Sequence, residues 1–473
     1  MANAKSAILQ LSVVGHTNVG KTSLVRTLMR DVSFGEVAAG SATTRQVEGA
    51  RLLADGQPVV ELFDTPGLED AGALIEQLDV EAGQRHSGPE RIQAFLASPG
   101  ATGRFEQEAR VLEQMLESHA AIYVIDAREP VLGKYQDELA ILALCARPLL
   151  PVLNFASNPH NRIDQWRDAL SRVGLHAVAE FDTVVFSLAS EARLWRRLAT
   201  LTDAHAAALE KLIADRETQA RWQLASAHAM LAELLVDAAA ARRSARRDSP
   251  EAIAHAGNSL REAITRREQQ FVEKLLELFR FTEADYRTVP LPIEAGRWES
   301  SPFDPGIRAI LGRRTGSGLA AGAAAGAAVD LATGGLSLGA GTLIGALAGG
   351  GSAGAWQLRR KIADRLRGRI GIMADDAVLT VLAARAFALL DAVGQRGHAA
   401  QSPVEIAQNL PSPWPSGRLP RVLHQARLQP EISTLNRGEG SDADARHALA
   451  DELRRALADD SRPRMNATES TLP

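Results

Sequence analysis

Short apolar runs rich in β-branched residues alternate with helical patterns from the start of the chain to about residue 190. Candidate strands are Ile8 to Val14, Gln46 to Leu53, Val59 to Phe63, Ala120 to Asp126, Leu149 to Phe155 and Thr183 to Ser187. Such alternation predicts βαβ units, so residues 1–190 read as an α/β domain with a mainly parallel sheet and helices on both faces. The stretch from 69 to 110 is long for one crossover and predicts an insertion or an enlarged switch. From 191 to 285 the pattern becomes long Ala/Leu/Glu/Arg-rich helices with a break at Asp248-Ser249-Pro250. A Pro-containing connector (286–314), a Gly-rich apolar segment (315–358) and a helical C-terminal region (359–425) follow. The polar tail, 426–473, is expected to be loosely ordered.

Composition narrows the classes. At 473 residues the chain exceeds one ordinary domain, and its 45% apolar and 23% charged content is that of a globular protein. A net charge of −4 provides no global field to draw nucleic acid. Cys145 is the sole cysteine, which excludes an internal disulfide or a thiolate metal cluster and fits a reducing compartment. The N-terminal run lacks a signal-peptide pattern, and the expected location is the cytoplasm.

Gly15-His16-Thr17-Asn18-Val19-Gly20-Lys21-Thr22, followed by Ser23, satisfies G-x-x-x-x-G-K-[ST] between a strand and an amphipathic helix. Glycines let backbone N–H groups turn around phosphate oxygens, and the helix N-terminus adds positive potential. Lys21 is expected on the β- and γ-phosphates and the Thr22 hydroxyl on Mg²⁺. The second motif, Asp64-Thr65-Pro66-Gly67, ends an apolar strand. Its Asp64 can contact Mg²⁺ through water, and the Gly67 N–H can face the γ-phosphate.

Both motifs, with Thr43-Thr44-Arg45 between them, resemble the Era/TrmE-like bacterial GTPases of the translation-factor-related class, over roughly residues 7 to 190. The resemblance implies GTP or GDP with Mg²⁺ as ligands, and Thr44, or else Thr43, as the threonine that closes on the metal and γ-phosphate. An exposed hairpin edge is the alternative for the Thr pair. Leu68 follows the DTPG turn, where Ras-like GTPases carry a water-orienting glutamine, so an apolar residue leaves that role to another group. Some members coordinate K⁺ through a P-loop asparagine matched here by Asn18; an asparagine suited to a tight turn is the other reading.

The chain departs from the family at base recognition. Where Asn-Lys-x-Asp is expected stands Asn154-Phe155-Ala156-Ser157, and Ser187-Leu188-Ala189 only partly resembles the Ser-Ala-Lys loop supporting the base. Guanine preference is therefore implied by resemblance, with Asn154 and Ser187 as its remaining carriers; Asp164 or Asp168 could substitute from a neighbouring helix, but each reads more simply as a solvated helix residue. ATP stays open as a substrate.

Between Thr315 and Leu358 glycines recur four apart, as at Gly318, Gly322 and Gly326 and again at Gly341, Gly345 and Gly349. On helices this spacing permits close approach, so the segment predicts a Gly-zipper helical hairpin in an otherwise all-α second half. Arg313 and Arg314 precede it, and Arg359, Arg360 and Lys361 follow. Basic flanks suit a hairpin dipping into an inner membrane from its cytoplasmic face; a buried hairpin or an oligomer interface is the alternative. Arg242, Arg243, Arg246 and Arg247 form a basic cluster, read as either a phosphate or RNA site or a solvated helix face.

The layout resembles Era-like GTPases fused to a C-terminal domain of unknown function. The expected activity is Mg²⁺-dependent GTP binding with slow hydrolysis, its switching coupled to a membrane or a protein partner. Competing readings are an RNA- or ribosome-associated GTPase and a non-catalytic scaffold.

Overall fold

The computed structural model describes residues 8–30, 47–82, 87–280, 293–294, 297–298, 301–303, 336–337, 368–394, 413–414, 418–436 and 442–469. Thr43, Thr44 and Arg45, and all of 315–358 except 336–337, lie outside them. The chain divides into two units, one running to Arg221 and the other starting at Trp222.

In the first unit, strands β1 (Leu9–Val14), β2 (Glu48–Ala54), β3 (Gln57–Asp64), β4 (Ala120–Asp126), β5 (Leu149–Asn154) and β6 (Ala179–Glu180) form a sheet ordered β2-β3-β1-β4-β5-β6. All neighbours pair parallel except β2 and β3. That hairpin turns at Asp55-Gly56, both at positive φ (49° and 73°), the two-residue geometry that matches strand twist. Period-two alternation splits β4 between two cores. Ala120, Ile122 and Val124 face helices α1 (Lys21–Met29) and α7 (Leu188–Leu201). Ala121, Tyr123 and Ile125 face α2 (Ala71–Ala82), α3 (Gly88–Leu96), α4 (Glu106–Glu117), α5 (Gly133–Leu144) and α6 (Ile163–Arg172). With every β4 residue buried, the sheet is covered on both sides.

The long stretch from 69 to 110 holds α2, α3 and the start of α4. Two expectations for this unit change. The last strand is Ala179–Glu180 rather than Thr183–Ser187, because the Asp182 carboxylate accepts from Val184 N at 2.8 Å and Val185 N at 3.0 Å and turns the chain away. The unit also runs past residue 190. Trp195 and Leu198 on α7, and Leu209 and Leu212 at the start of α8 (Ala206–Ala240), are fully buried in its core.

In the second unit the later part of α8 packs with α9 (Pro250–Leu278), α10 (Asp376–Gly394), α11 (Arg421–Leu428) and α12 (Ala443–Glu469) around one core. It is not all-α. Strand β7 (Arg243–Arg246) pairs antiparallel with β11 (Arg369–Ala374), whose other edge pairs with β10 (Leu336–Ser337). A small hairpin joins β8 (Ile293–Glu294) to β9 (Arg297–Trp298). The basic cluster thus includes a strand, not a helix face: Arg243 donates to Leu435 O at 3.0 Å, and Arg246 pairs with Asp248 at 2.9 Å. Gly371 lets the Arg242 guanidinium cross the sheet, since a Cβ there would meet its Nε at 2.3 Å.

Leu336–Ser337 are strand, inside the segment expected as a helical hairpin; each glycine costs about 1 kcal/mol in a helix relative to alanine. The rest of the predicted Gly-zipper lies outside the described residues. Within the helical region expected over 359–425, Arg369–Ala374 are strand and a helix follows at Asp376–Gly394, while 359–367 lie outside the described residues. The tail is ordered as α12, because Ala450, Leu453 and Leu457 recur at helical spacing and enter the core. Among the described residues α10 alone is long and apolar enough to cross a membrane. It is mostly buried here, and its Arg385 pairs with Glu268 of α9 at 3.3 Å beneath the Trp298 ring.

Candidate functional site

The G-x-x-x-x-G-K-[ST] segment carries the chain from β1 into α1. Gly15 adopts φ 144° and Gly20 φ 95°, and any Cβ at Gly15 would strike Val124 O at 2.5 Å. Only glycine fits these two positions. Asn18 is exposed at φ 66°, a left-handed conformation that asparagine tolerates. The buried Lys21 folds back over the loop, its Nζ donating to His16 O at 2.8 Å and Gly15 O at 3.1 Å. Burial lowers its pKa to about 8, against the raising pull of Asp64, Glu138 and Glu69. A cationic head held by neutral carbonyls is ready to exchange them for phosphate oxygens.

Beside it, the Thr22 hydroxyl donates to Asp64 Oδ2 at 2.6 Å. Asp64 Oδ1 is buried without a hydrogen-bond partner, and burial raises the carboxyl to about 6 despite Thr22 and Lys21. A hydroxyl, a carboxylate and an orphaned buried oxygen are the hard donors that Mg²⁺ takes alongside phosphate. Thr22 and Asp64 would hold that ion.

The turn after Asp64 is pinned to the P-loop. Thr65 Oγ donates to Val13 O at 2.8 Å and Leu68 N to Gly15 O at 3.3 Å. Gly67 lies so close that a Cβ would stand 2.2 Å from Thr17 Oγ and 2.8 Å from Thr17 N. His16 Nδ1 lies 2.9 Å from Leu68 O and 2.8 Å from Glu138 Oε1, both acceptors, so that nitrogen carries the proton. Glu138 is buried and also accepts from Tyr123 OH at 2.8 Å. Thr17 Oγ donates to Glu69 Oε1 at 2.9 Å, while Glu108 of α4 accepts from Glu69 N and Asp70 N. Leu68 itself is fully buried. Glu138 and Glu108 went unmarked in the sequence, where each is one carboxylate among many on an amphipathic helix.

Asn154 links the P-loop to the base side. Its Nδ2 donates to Val19 O at 3.0 Å, while Oδ1 accepts from Phe155 N at 2.9 Å and from Thr183 N and Oγ, both at 3.1 Å. Thr183, not Ser187, is the later residue brought to Asn154; Ser187 caps α7, accepting from Ser190 N at 3.4 Å. Ser23 lies in the first turn of α1, its carbonyl accepting from Thr27 Oγ at 2.8 Å. Asp164 and Asp168 are exposed on α6, and the carboxylate that reaches the 154–157 loop is Asp182, accepting from Ser157 N at 2.9 Å. The polar pair Asp182-Thr183, just after Phe181 and the short strand Ala179–Glu180, was the available signal for both.

Comparison with known families separates the two halves. Residues 167–455 match the profile described as "Domain of unknown function (DUF3482)". The chain belongs to the DUF3482 family. Residues 10–155 match the profile described as "50S ribosome-binding GTPase". In this DUF3482 protein the first domain is a GTP-binding P-loop GTPase domain of the Era/TrmE type, followed by a separate C-terminal domain. Among its relatives is a tRNA modification GTPase MnmE from Leptospira biflexa, 32% identical over 133 residues, 27% of this chain and 28% of that protein. A GTPase Era from Campylobacter fetus is 32% identical over 88 residues, 19% of this chain and 30% of that one. The chain thus spans less than a third of either relative. A crystal structure of Aquifex aeolicus Era aligns at 16% identity and TM-score 0.27, covering 37% of this chain and 51% of that one.

Proposed function

We propose that the chain binds GTP with Mg²⁺ at the P-loop, hydrolyses it slowly, and couples the resulting switch to engagement of a membrane or a protein partner by its C-terminal domain. The observation that carries the reading is the convergence of Lys21, Thr22 and the orphaned Asp64 Oδ1 on one spot. Mg²⁺ held by Thr22 and Asp64 would supply the positive charge that offsets the β- and γ-phosphates. Lys21 releases the Gly15 and His16 carbonyls and takes phosphate oxygens. The Gly67 N–H, held against Thr17, is the amide that registers a γ-phosphate, and its loss frees the 64–70 turn.

Slow turnover follows from Leu68, whose side chain is fully buried and has no group to orient water. Thr44 closing on the metal, and K⁺ held by the exposed Asn18, complete the proposed chemistry. The partner-facing half of the proposal rests on the Gly-rich segment and its basic flanks. It places the protein in the cytoplasm and at the inner face of a membrane.

The test is phosphate release with Mg²⁺ in K⁺ and in Na⁺, paired with flotation on anionic vesicles in GTP and GDP. Faster release in K⁺ and nucleotide-dependent flotation are expected. Equal rates in the two salts would remove the Asn18 cation, and flotation blind to nucleotide would remove the coupling.

A further inference from the structure

Asn154 ties Val19 of the P-loop to Thr183, so the loops 155–157 and 182–185 adjoin the P-loop on the side where the resemblance of Asn154 to the base-recognition motif puts a nucleotide's base. At that end the usual aspartate is replaced by Ser157. The space beside Ser157 nevertheless contains a carboxylate. Asp182 Oδ2 lies 2.9 Å from Ser157 N, and its Oδ1 accepts from Val184 N and Val185 N. Asp182 is 8% exposed and fixed from both loops at once. A carboxylate has about four acceptor positions, so three N–H groups leave one open on Oδ2.

The nearby Asp126 does not compete for the role, because both its oxygens bind Arg128, at 2.9 and 2.7 Å. Phe155 adds an apolar wall. At φ 58° its ring reaches the P-loop, lying 3.6 Å from a Cβ at Gly20, and carries the Arg128 guanidinium 3.8 Å from its centroid.

We propose that Asp182 is the base-reading residue of this pocket, selecting a purine nucleotide whose edge presents adjacent N–H donors, that is, a guanine nucleotide; this rests on the P-loop nucleotide reading above. Guanine's N1–H and 2-amino N–H point the same way and can share the one acceptor position left open on Asp182 Oδ2. Adenine turns a ring acceptor toward it and xanthine a carbonyl, and both are repelled. Hypoxanthine keeps N1–H but lacks the amino group. The carboxylate comes from the far side of the pocket, which explains how the Asn-Lys-x-Asp motif can be lost while the base is still read.

The test is the affinity of the full chain, with Mg²⁺, for GTP, ITP, XTP and ATP, in the wild type, Lys21→Ala, Asp182→Ala and the double variant Asp182→Ala/Ser157→Asp. Wild type should favour GTP over XTP and ATP by about ten- to a hundredfold, the worth of one hydrogen bond to a charged group, with ITP between. Asp182→Ala should bind GTP no better than ATP. The double variant should recover the preference, because residue 157 already touches the Asp182 oxygen.

Persisting guanine preference in Asp182→Ala would overturn the proposal. So would a double variant that binds ATP normally yet stays blind to guanine, since that makes Asp182 purely structural. Should Asp182→Ala fail to fold, the wild-type series still decides, and equal affinity for GTP and XTP refutes it. Triphosphate binding lost in Lys21→Ala but indifferent to base defeats this proposal alone. No binding of any nucleotide defeats the P-loop reading and this proposal with it.

Discussion

Replacing Asn154 by alanine removes a fully buried side chain that makes four hydrogen bonds across three segments. The Val19 carbonyl and the Phe155 and Thr183 amides would lose their partner in a region that water reaches poorly. Each orphaned buried group costs about 1–3 kcal/mol. The three share one neighbourhood and will not add fully, so the expected loss is about 3–5 kcal/mol, a large part of a domain's stability. Denaturant-dependent hydrogen exchange, read by mass spectrometry on peptides from β1, β4 and β5, isolates the first unit from the second. The same variant should release GDP faster, because the P-loop and the Thr183 turn are no longer joined. A loss below about 1 kcal/mol with unchanged GDP release would refute the view that Asn154 is the clasp of the site.

Gly67→Ala places a Cβ against Thr17 backbone atoms at 2.8 Å, so GTP affinity should fall at least tenfold while GDP affinity changes little, measured by titration with labelled nucleotides. Arg385→Met leaves Glu268 buried and without its cation, a loss of about 3–5 kcal/mol in the second unit by hydrogen exchange; adding Glu268→Gln should restore most of it. Affinity for the Mg²⁺–nucleotide should be bell-shaped in pH. Metal binding requires ionised Asp64, raised by burial to about 6, so binding releases protons and weakens as pH falls below that value. Phosphate raises Lys21 from its lowered value of about 8, so binding takes up protons and weakens as pH rises beyond it. Calorimetry in buffers of different ionisation enthalpy reads both signs.

The phosphate end of the site was legible because its geometry is imposed locally. Gly15 and Gly20 must adopt positive φ, Lys21 and Thr22 open a helix, and Asp64 ends a strand beside β1. The base end was not, because it is assembled from residues 25 and 29 positions apart that only the sheet brings together. Asp182 reaching Ser157, and Thr183 reaching Asn154, leave no periodic trace. In the second unit, Ala/Leu-rich composition overstated helix. Strand β11 reads Arg369-Ile370-Gly371-Ile372, short and interrupted by a glycine that Arg242 requires. The tail misled in the other direction. Its abundant charges concealed Ala450, Leu453 and Leu457, three small and medium apolar residues on one face of α12.

The most direct test of the account is phosphate release from GTP by the full chain with Mg²⁺, wild type against Lys21→Ala. The account predicts slow, saturable release by the wild type and none above background in the variant, with GTP binding lost in parallel. Release that survives Lys21→Ala, or a wild type that binds GTP but never turns it over, would contradict it.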